Sequence, residues 1–330
     1  MYDRPMHGGL RILMLGGAKR VSMARMFQQA ARKLGSEAYI FSYELSATVP
    51  IATCSEVIIG RKFSDPDVLD HLHHTVERYG IDIIIPFVDP AVGVAAAYRD
   101  RHPGTVFVPV GDKDGAELMF DKCRSAAMFA SAGLPIPATY TGGDVTMPLI
   151  AKPRNGSASK GIQPIDSLAD IARLPMPADN YLIQERINER EEISVDCYVS
   201  VHDGDVIAAV TRRRLEVTGG EASRTATFHD ADAETLAADT LRTLGLRGAV
   251  TIQLLRDKRD GRLMIMEINP RLGGGAVCAV HAGADIPMMI LQEACRQKPQ
   301  RAVWDADVEI TRYMQEVTFK NGQLITDSDK

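Results

Sequence analysis

Over the first hundred residues, short apolar runs alternate with amphipathic stretches. LRILML, AYIFSY, SEVIIG, IDIIIPF and TVFVPV have the length of buried strands, and Val21 to Leu34 and Asp67 to Tyr79 have helical spacing. Strands separated by helices of this length pair in parallel, so residues 1–112 are predicted to form a doubly wound parallel α/β sheet. From Asp114 the texture changes. DGAELMFDKCRSAAMFASAGL reads as one long helix ending at Gly133 before PIPA, with its Met and Phe positions facing a core. Short strands broken by glycine follow: MPLIAKP, KGIQPI, NYLIQERI, EISVDCYVSV and DVIAAVTRR. The last third predicts a helix over Ala231 to Leu244, a hairpin made of AVTIQLL and LMIMEINP, and a helix near Asp285 to Arg296. A final strand, VEITRYMQEV, and a loose polar tail, NGQLITDSDK, complete it. Mixed strands on a few helices predict an α+β architecture here.

The composition narrows the class. A chain of 330 residues, 45% hydrophobic and 25% charged, fits a globular enzyme of two or three lobes. The formal net charge of −5 offers no basic footprint for nucleic acid. Five cysteines (Cys54, Cys123, Cys197, Cys278, Cys295) form no close pair and no metal-like spacing, which fits reduced thiols in the cytoplasm. No apolar run approaches the ~20 residues of a membrane helix. The leader MYDRPMHGG lacks an apolar segment and is expected to fray.

The chemistry concentrates in three places. At the end of LMIMEINPRLGGG, Glu267 and Asn269 lie two residues apart and so share a strand face. A hairpin closed through DKRDG with Arg256 opposite Arg262 places Gln253 opposite Ile265 and diagonal to Glu267. Three oxygen donors on one face suit a hard cation such as Mg²⁺ that completes its shell with phosphates. Second, Lys152 ends a strand at the base of RNGSASKGI. The glycines and serines of that loop (Gly156, Ser157, Ser159, Gly161) can bring backbone N–H groups against a polyphosphate, and Lys152 and Lys122 are candidate cations beside it. Third, LIQERINEREEISVD offers a connection whose backbone can meet an adenine edge, followed by Glu192, a carboxylate able to accept from both ribose hydroxyls. The turn LGGAKR after the first strand lacks full GxGxxG spacing. HLHHT puts His71 and His74 on one helix face, and His281 follows a glycine run; a solvated face and a structural role are the simpler assignments.

These pieces, in this order, resemble the ATP-grasp superfamily, most closely the single-module relatives of the carbamoyl-phosphate synthetase large subunit. The resemblance runs from Leu10 to about Val317 and is carried by IAKPRNGSASKGI, LIQERINEREEISVD and TIQLL…LMIMEINPR. It implies a Rossmann-like (pre-ATP-grasp) domain over 1–112, a small lobe with the phosphate loop over 113–187, and a C-terminal lobe with the metal site over 188–330. It implies ATP contacts at Lys122, Lys152, Gly156, Ser157, Ser159 and Gly161, with the loop closing over ATP. It further implies adenine contacts along Glu185, Arg186 and Ile187, and a ribose ligand at Glu192. Gln253, Glu267 and Asn269 become ligands to Mg (or Mn), and Arg271 and Lys152 become catalytic cations.

The family's chemistry then implies an ADP-forming ligase that joins a small carboxylic or amino acid to an amine or thiol through an acyl phosphate. Arg212, Arg214, Glu221 and Ser223 in TRRRLEVTGGEAS are candidates for the acceptor pocket, an arginine for a carboxylate and Glu221 for an ammonium. Strand alternation aims Arg212 and Arg214 one way and Arg213 the other. Asp89 follows the end of a parallel strand, where α/β sheets place ligands, although Pro90 stands where relatives often carry a further acid. Partners are expected to be small molecules, not nucleic acid or membrane, and a homodimer is the default for such an enzyme. Competing readings are a carbamoyl-phosphate-synthetase-like bicarbonate or carboxylate kinase and a non-catalytic nucleotide-binding regulator.

Overall fold

The computed structural model describes residues 8–140, 142, 146–156 and 160–325. Four parallel strands, β1 (Leu10–Leu15), β2 (Ala38–Glu44), β3 (Glu56–Ile59) and β4 (Ile83–Pro86), lie in the order β3-β2-β1-β4. Helices α1 (Val21–Lys33), α2 (Val68–Tyr79) and α3 (Asp89–Arg101) cover both faces. Successive side chains of β1 point to opposite sides. Ile12 and Met14 share a core with Met23 and Phe27 of α1, whereas Leu13 and Leu15 share one with Leu72 of α2 and Ala91 of α3. Strand order reverses between β1 and β4, so the loops after them form the crevice where such sheets hold ligands. TVFVPV contributes isolated bridges, Phe107 to Ile83 and Val110 to Gly248, instead of a fifth full strand.

The long helix expected from Asp114 is two helices, α4 (Lys113–Phe120) and α5 (Lys122–Ser131). Asp121 breaks the run: its backbone is extended and its carboxylate accepts from the N–H groups of Cys123 and Arg124, the bonds an N-cap aspartate makes best. A small antiparallel sheet follows, β5 (Leu149–Pro153), β6 (Gln163–Ile165) and β7 (Tyr181–Glu185), in the order β6-β5-β7, with α6 (Leu168–Ile171) beside it.

The largest sheet is antiparallel. It contains β8 (Arg190–Val199), β9 (Val206–Thr218), β10 (Glu221–Thr227), β11 (Gly248–Asp257), β12 (Leu263–Asn269) and β13 (Glu309–Thr311). Their order is β12-β11-β8-β9-β10-β13. On one face α7 (Ala231–Thr243) packs on Val195, Cys197 and Ile252. On the other lie α8 (Ala276–His281) and α9 (Ile286–Ala294), in a core that also contains Phe27 and Met14 of the N-terminal sheet. That shared core fixes the crevice of the parallel sheet against the C-terminal lobe. The predicted last strand survives as the short β13, and the described start of the tail, residues 321–325, includes β15 (Gln323–Leu324), which pairs with β14 (Phe319–Lys320). Among the described residues no helix is long and apolar enough to cross a membrane, and all five cysteines are free.

Candidate active site

The site begins at the β11–β12 hairpin. Its register differs from the expected one: Arg256 faces Leu263, and a bulge between Gln253 and Leu254 leaves Gln253 directly opposite Glu267. The extra residue of a bulge displaces the ladder by one, so the two oxygen donors face each other directly instead of diagonally. Among the described residues Glu267 has no hydrogen-bonding or ion-pair partner, which leaves its carboxylate available. Asn269 is buried, and its Oδ1 accepts from Arg271 Nη2 at 3.3 Å. Arg271 is in turn ion-paired to Asp89 at the start of α3. One carboxylate and two amides, all oxygen donors, fit a hard divalent cation that shares phosphate oxygens. Among the described residues no cluster of three His, Cys, Asp or Glu side chains could hold a metal. His71 instead bonds Tyr43, and His73 stacks on His102.

Gln253 and Glu267 line a cleft of about 930 Å³ between the three-stranded sheet and the large sheet, with Lys122, Lys152, Gly156 and Glu192 around it. Lys152 is buried and donates to Gln184 Oε1 at 3.0 Å. Burial pushes its ammonium down to about 8, with the Glu267 charge acting in the opposite sense. Lys122 lies at the first residue of α5, not near mid-helix, and its Nζ donates to the Gly156 carbonyl at 2.6 Å. The base of the phosphate loop is strapped to the same helix start. Lys122 N–H donates to Arg154 O, and the Arg154 guanidinium grips Asp121 at 2.6 and 2.8 Å. Gly161 has φ +74°, and a Cβ there would meet Pro153 Cγ at 3.0 Å, so glycine is required. Ser157 and Ser159, and with them most of the expected lid, lie outside the described residues.

Other expected contacts are redistributed. The Glu185 carboxylate is held by Arg262 and accepts from Ala138 N–H, while the backbone N–H groups of Glu185 and Arg186 donate to Ala138 O and Pro148 O. The side chain of Arg186 pairs with Asp166, and Ile187 is buried at the cleft wall. Glu192 is flanked by Arg190 at 3.1 Å and Arg214 at 3.2 Å. Arg214 therefore belongs to the nucleotide-sized cleft, not to an acceptor pocket. Arg212 is buried and bound to Asp196 at 2.6 Å, and Thr251 also donates to that carboxylate. Its charge is consumed internally, so it does not serve as a substrate contact. Arg213 does point the other way, over the Phe228 ring.

A second, larger cleft of about 1990 Å³ opens between the β1–α1 and β4–α3 loops and the β9–β10 turn, and it contains Glu221, Ser223 and His281. The Asp89 carboxylate is engaged by Arg271. Glu221 is already held by Arg20 at 3.3 Å and Arg312 at 2.7 Å, one guanidinium on each carboxylate oxygen. Sequence reasoning missed Arg20, Arg312, Arg190 and Asp121. The crevice rule for parallel sheets could have flagged Arg20, just after β1; no local signal marks Arg312.

Comparison with known proteins agrees with this geometry. Residues 178–316 match the family described as "ATP-grasp in the biosynthetic pathway with Ter operon". The chain is similar to a D-alanine--D-alanine ligase of Xanthomonas axonopodis pv. citri, 25% identical over 48% of this chain and 58% of that one. It is also similar to the carbamoyl phosphate synthase large chain of Mycobacterium tuberculosis, 24% identical over 63% of this chain and 19% of that one. It thus spans only part of the length of either relative. Among solved structures, the biotin carboxylase domain of Hydrogenobacter thermophilus 2-oxoglutarate carboxylase, in complex with MgADP, ADP and bicarbonate, superposes with a TM-score of 0.71. It is 16% identical, over 89% of this chain and 71% of that one. Residues 178–316 thus carry an ATP-grasp match, and the relatives named are a ligase, a synthase and a carboxylase domain that shares the fold.

Proposed function

We propose that the protein is an ADP-forming, magnesium-dependent ligase that activates a small carboxylic acid as its acyl phosphate and passes it to an amine. The observation that carries this reading is the convergence of Lys152, Glu192, Gln253 and Glu267 on one cleft, with Arg271, ion-paired to Asp89, on the segment that follows Glu267.

A carboxylate is a poor acyl donor because its leaving group would be oxide. Attack of its oxygen on the γ-phosphorus of ATP forms a P–O bond and breaks the bond to the β-phosphate bridge, releasing ADP. The amine nitrogen then bonds the acyl carbon, the C–O bond to phosphate breaks, and the amine loses a proton. The first step brings anions together, so positioned cations supply most of the rate. Lys122 and Lys152 would meet the phosphates, and Arg271 the transferred group. Gln253, Glu267 and Asn269 would hold the magnesium, which when bound neutralises charge on the β- and γ-oxygens. Glu192 would take the ribose, and the backbone from Glu185 to Ile187 the adenine edge.

The test is ADP release with hydroxylamine present and amino and hydroxy acids screened one at a time. A hydroxamate formed with ADP supports the reading. ADP release that yields a stable phosphorylated acid, indifferent to added amine, identifies a kinase instead. Nucleotide binding without turnover on any acid identifies a regulator.

A further inference from the structure

The second cleft carries an excess of positive charge that the reading above leaves unexplained. Lys19 and Arg20 enter it from the turn after β1, and Arg312 from the end of β13. Glu221 is the one carboxylate among its described lining residues, so the formal balance of these four groups is +2.

The two guanidiniums are placed by design of the fold. Arg20 donates to Glu221 Oε1 and Arg312 to Oε2, from positions 201 and 91 residues away in the chain. Burial alone would raise the Glu221 carboxyl, yet the two guanidiniums outweigh it and hold the group below its ordinary range. Both arginines also converge on Gly274: Arg312 donates to its carbonyl, and a Cβ at that glycine would lie 2.9 Å from Arg20 Nη1. Each guanidinium has five N–H donors, so the bonds to Glu221 and Gly274 leave donors over for a ligand. Glu221 is a bracket for two arginines, not a receptor for an ammonium.

Gly274 lies three residues after Arg271, a backbone span of at most ~10 Å. Gly273 and Gly274 line the second cleft, so the segment that begins at Arg271 runs into the cleft of the arginine pair. Resting on the ligase reading, we propose that the acid substrate is dianionic. One carboxylate is presented at Arg271 for phosphorylation. A second anionic group, a carboxylate or a phosphate ester, is gripped by Arg20 and Arg312, for which a planar guanidinium is well matched. The rest of the large cleft is then available for the nucleophile.

The experiment measures kcat/KM for hydroxylamine-trapped ADP release by the full chain. Succinate, glutarate and adipate are compared with butyrate, valerate and hexanoate, and 3-phosphoglycerate with glycerate. At least one dianion is expected to exceed its monoanionic counterpart tenfold or more, and the better series identifies the second group. Arg312→Gln and Arg20→Gln are expected to bring that ratio close to one. Equal turnover of monoanions and dianions by the wild-type protein overturns this proposal and leaves the ligase reading intact. An advantage for dianions that persists in both variants also overturns it. Absence of ADP release with every acid, while ADP still binds, removes the ligase reading and this inference together.

Discussion

Arg271 and Asp89 are 182 residues apart in sequence and ion-paired in the fold. Arg271 also reaches back to Asn269 Oδ1, so one guanidinium ties the end of β12 to the crevice of the N-terminal sheet. Asp89 here is a positioning residue for Arg271. We predict that Asp89→Asn lowers kcat by about 10- to 100-fold, the scale on which a small misplacement of a catalytic group is felt, while the affinity for ADP changes less than threefold. Steady-state kinetics with parallel calorimetry checks this. An unchanged kcat would remove Asp89 from the catalytic arrangement.

Lys152 gives a pH dependence whose sign is fixed by its burial. Its ammonium titrates near 8 in the folded protein, below its ordinary value of 10.5. The folded chain therefore binds fewer protons than the unfolded chain between those values. Burial of the charge costs stability below pH 8, and that cost is relieved as pH rises toward 10.5. Anionic phosphates favour the charged form, so ADP binding should take up a proton above pH 8 and weaken as pH rises further. Calorimetry at pH 8.5 in two buffers of different ionisation enthalpy reads the uptake directly, and at pH 6.5 it should vanish. Lys152→Met is expected to match or exceed the wild type in thermal stability while losing at least tenfold in ADP affinity, a functional group held at a cost to the fold. Loss of stability together with unchanged affinity would contradict the phosphate role.

How far the sequence reaches can be judged from these same residues. Glu267 and Asn269 were legible because period-two alternation is a local property of one strand. The opposing register was not, because the bulge beside Gln253 depends on how two strands fit and leaves no trace in hydrophobic pattern. The break at Asp121 was hidden because residues on both sides are good helix formers; only the capping bonds to Cys123 and Arg124 make it favourable. The arginines of β9 show the same limit. Alternation correctly separated Arg213 from its neighbours, but it could not tell that Asp196 on the adjacent strand would consume Arg212 while Glu192 takes Arg214. Pairings such as Arg20 with Glu221 join distant parts of the chain, so composition and spacing are silent about them.

The Arg212–Asp196 pair leads to a prediction about stability. Both side chains are almost fully buried, at 4% and 1% exposure, and Thr251 Oγ1 donates to the same carboxylate at 2.9 Å. Removing one partner strands the other charge away from water. Arg212→Ala is therefore expected to cost about 3–5 kcal/mol, seen as a lower urea midpoint. A Cβ on Gly275 would lie 2.4 Å from Arg212 Cζ, so Gly275→Ala should also destabilise the protein by displacing the pair. If Arg212→Ala unfolds at the wild-type urea concentration and instead raises only KM for the acid, the arginine contacts substrate after all.

Glu267 couples the two halves of the nucleotide cleft. It opposes Gln253 across the hairpin, and its charge favours the protonated form of Lys152. Glu267→Gln preserves size and one oxygen donor but removes the charge, so two separate effects are expected. Magnesium-dependent turnover should fall by at least about 100-fold, the scale of losing one directly acting electrostatic group, and excess magnesium should not restore it fully. Independently of any metal, Lys152 should lose its favourable neighbour and deprotonate at lower pH. In chelator-treated samples the midpoint of the pH dependence of ADP binding should therefore move down relative to the wild type. A midpoint that stays in place would mean that Glu267 and Lys152 do not face the same nucleotide, and the shared cleft would lose its strongest functional argument.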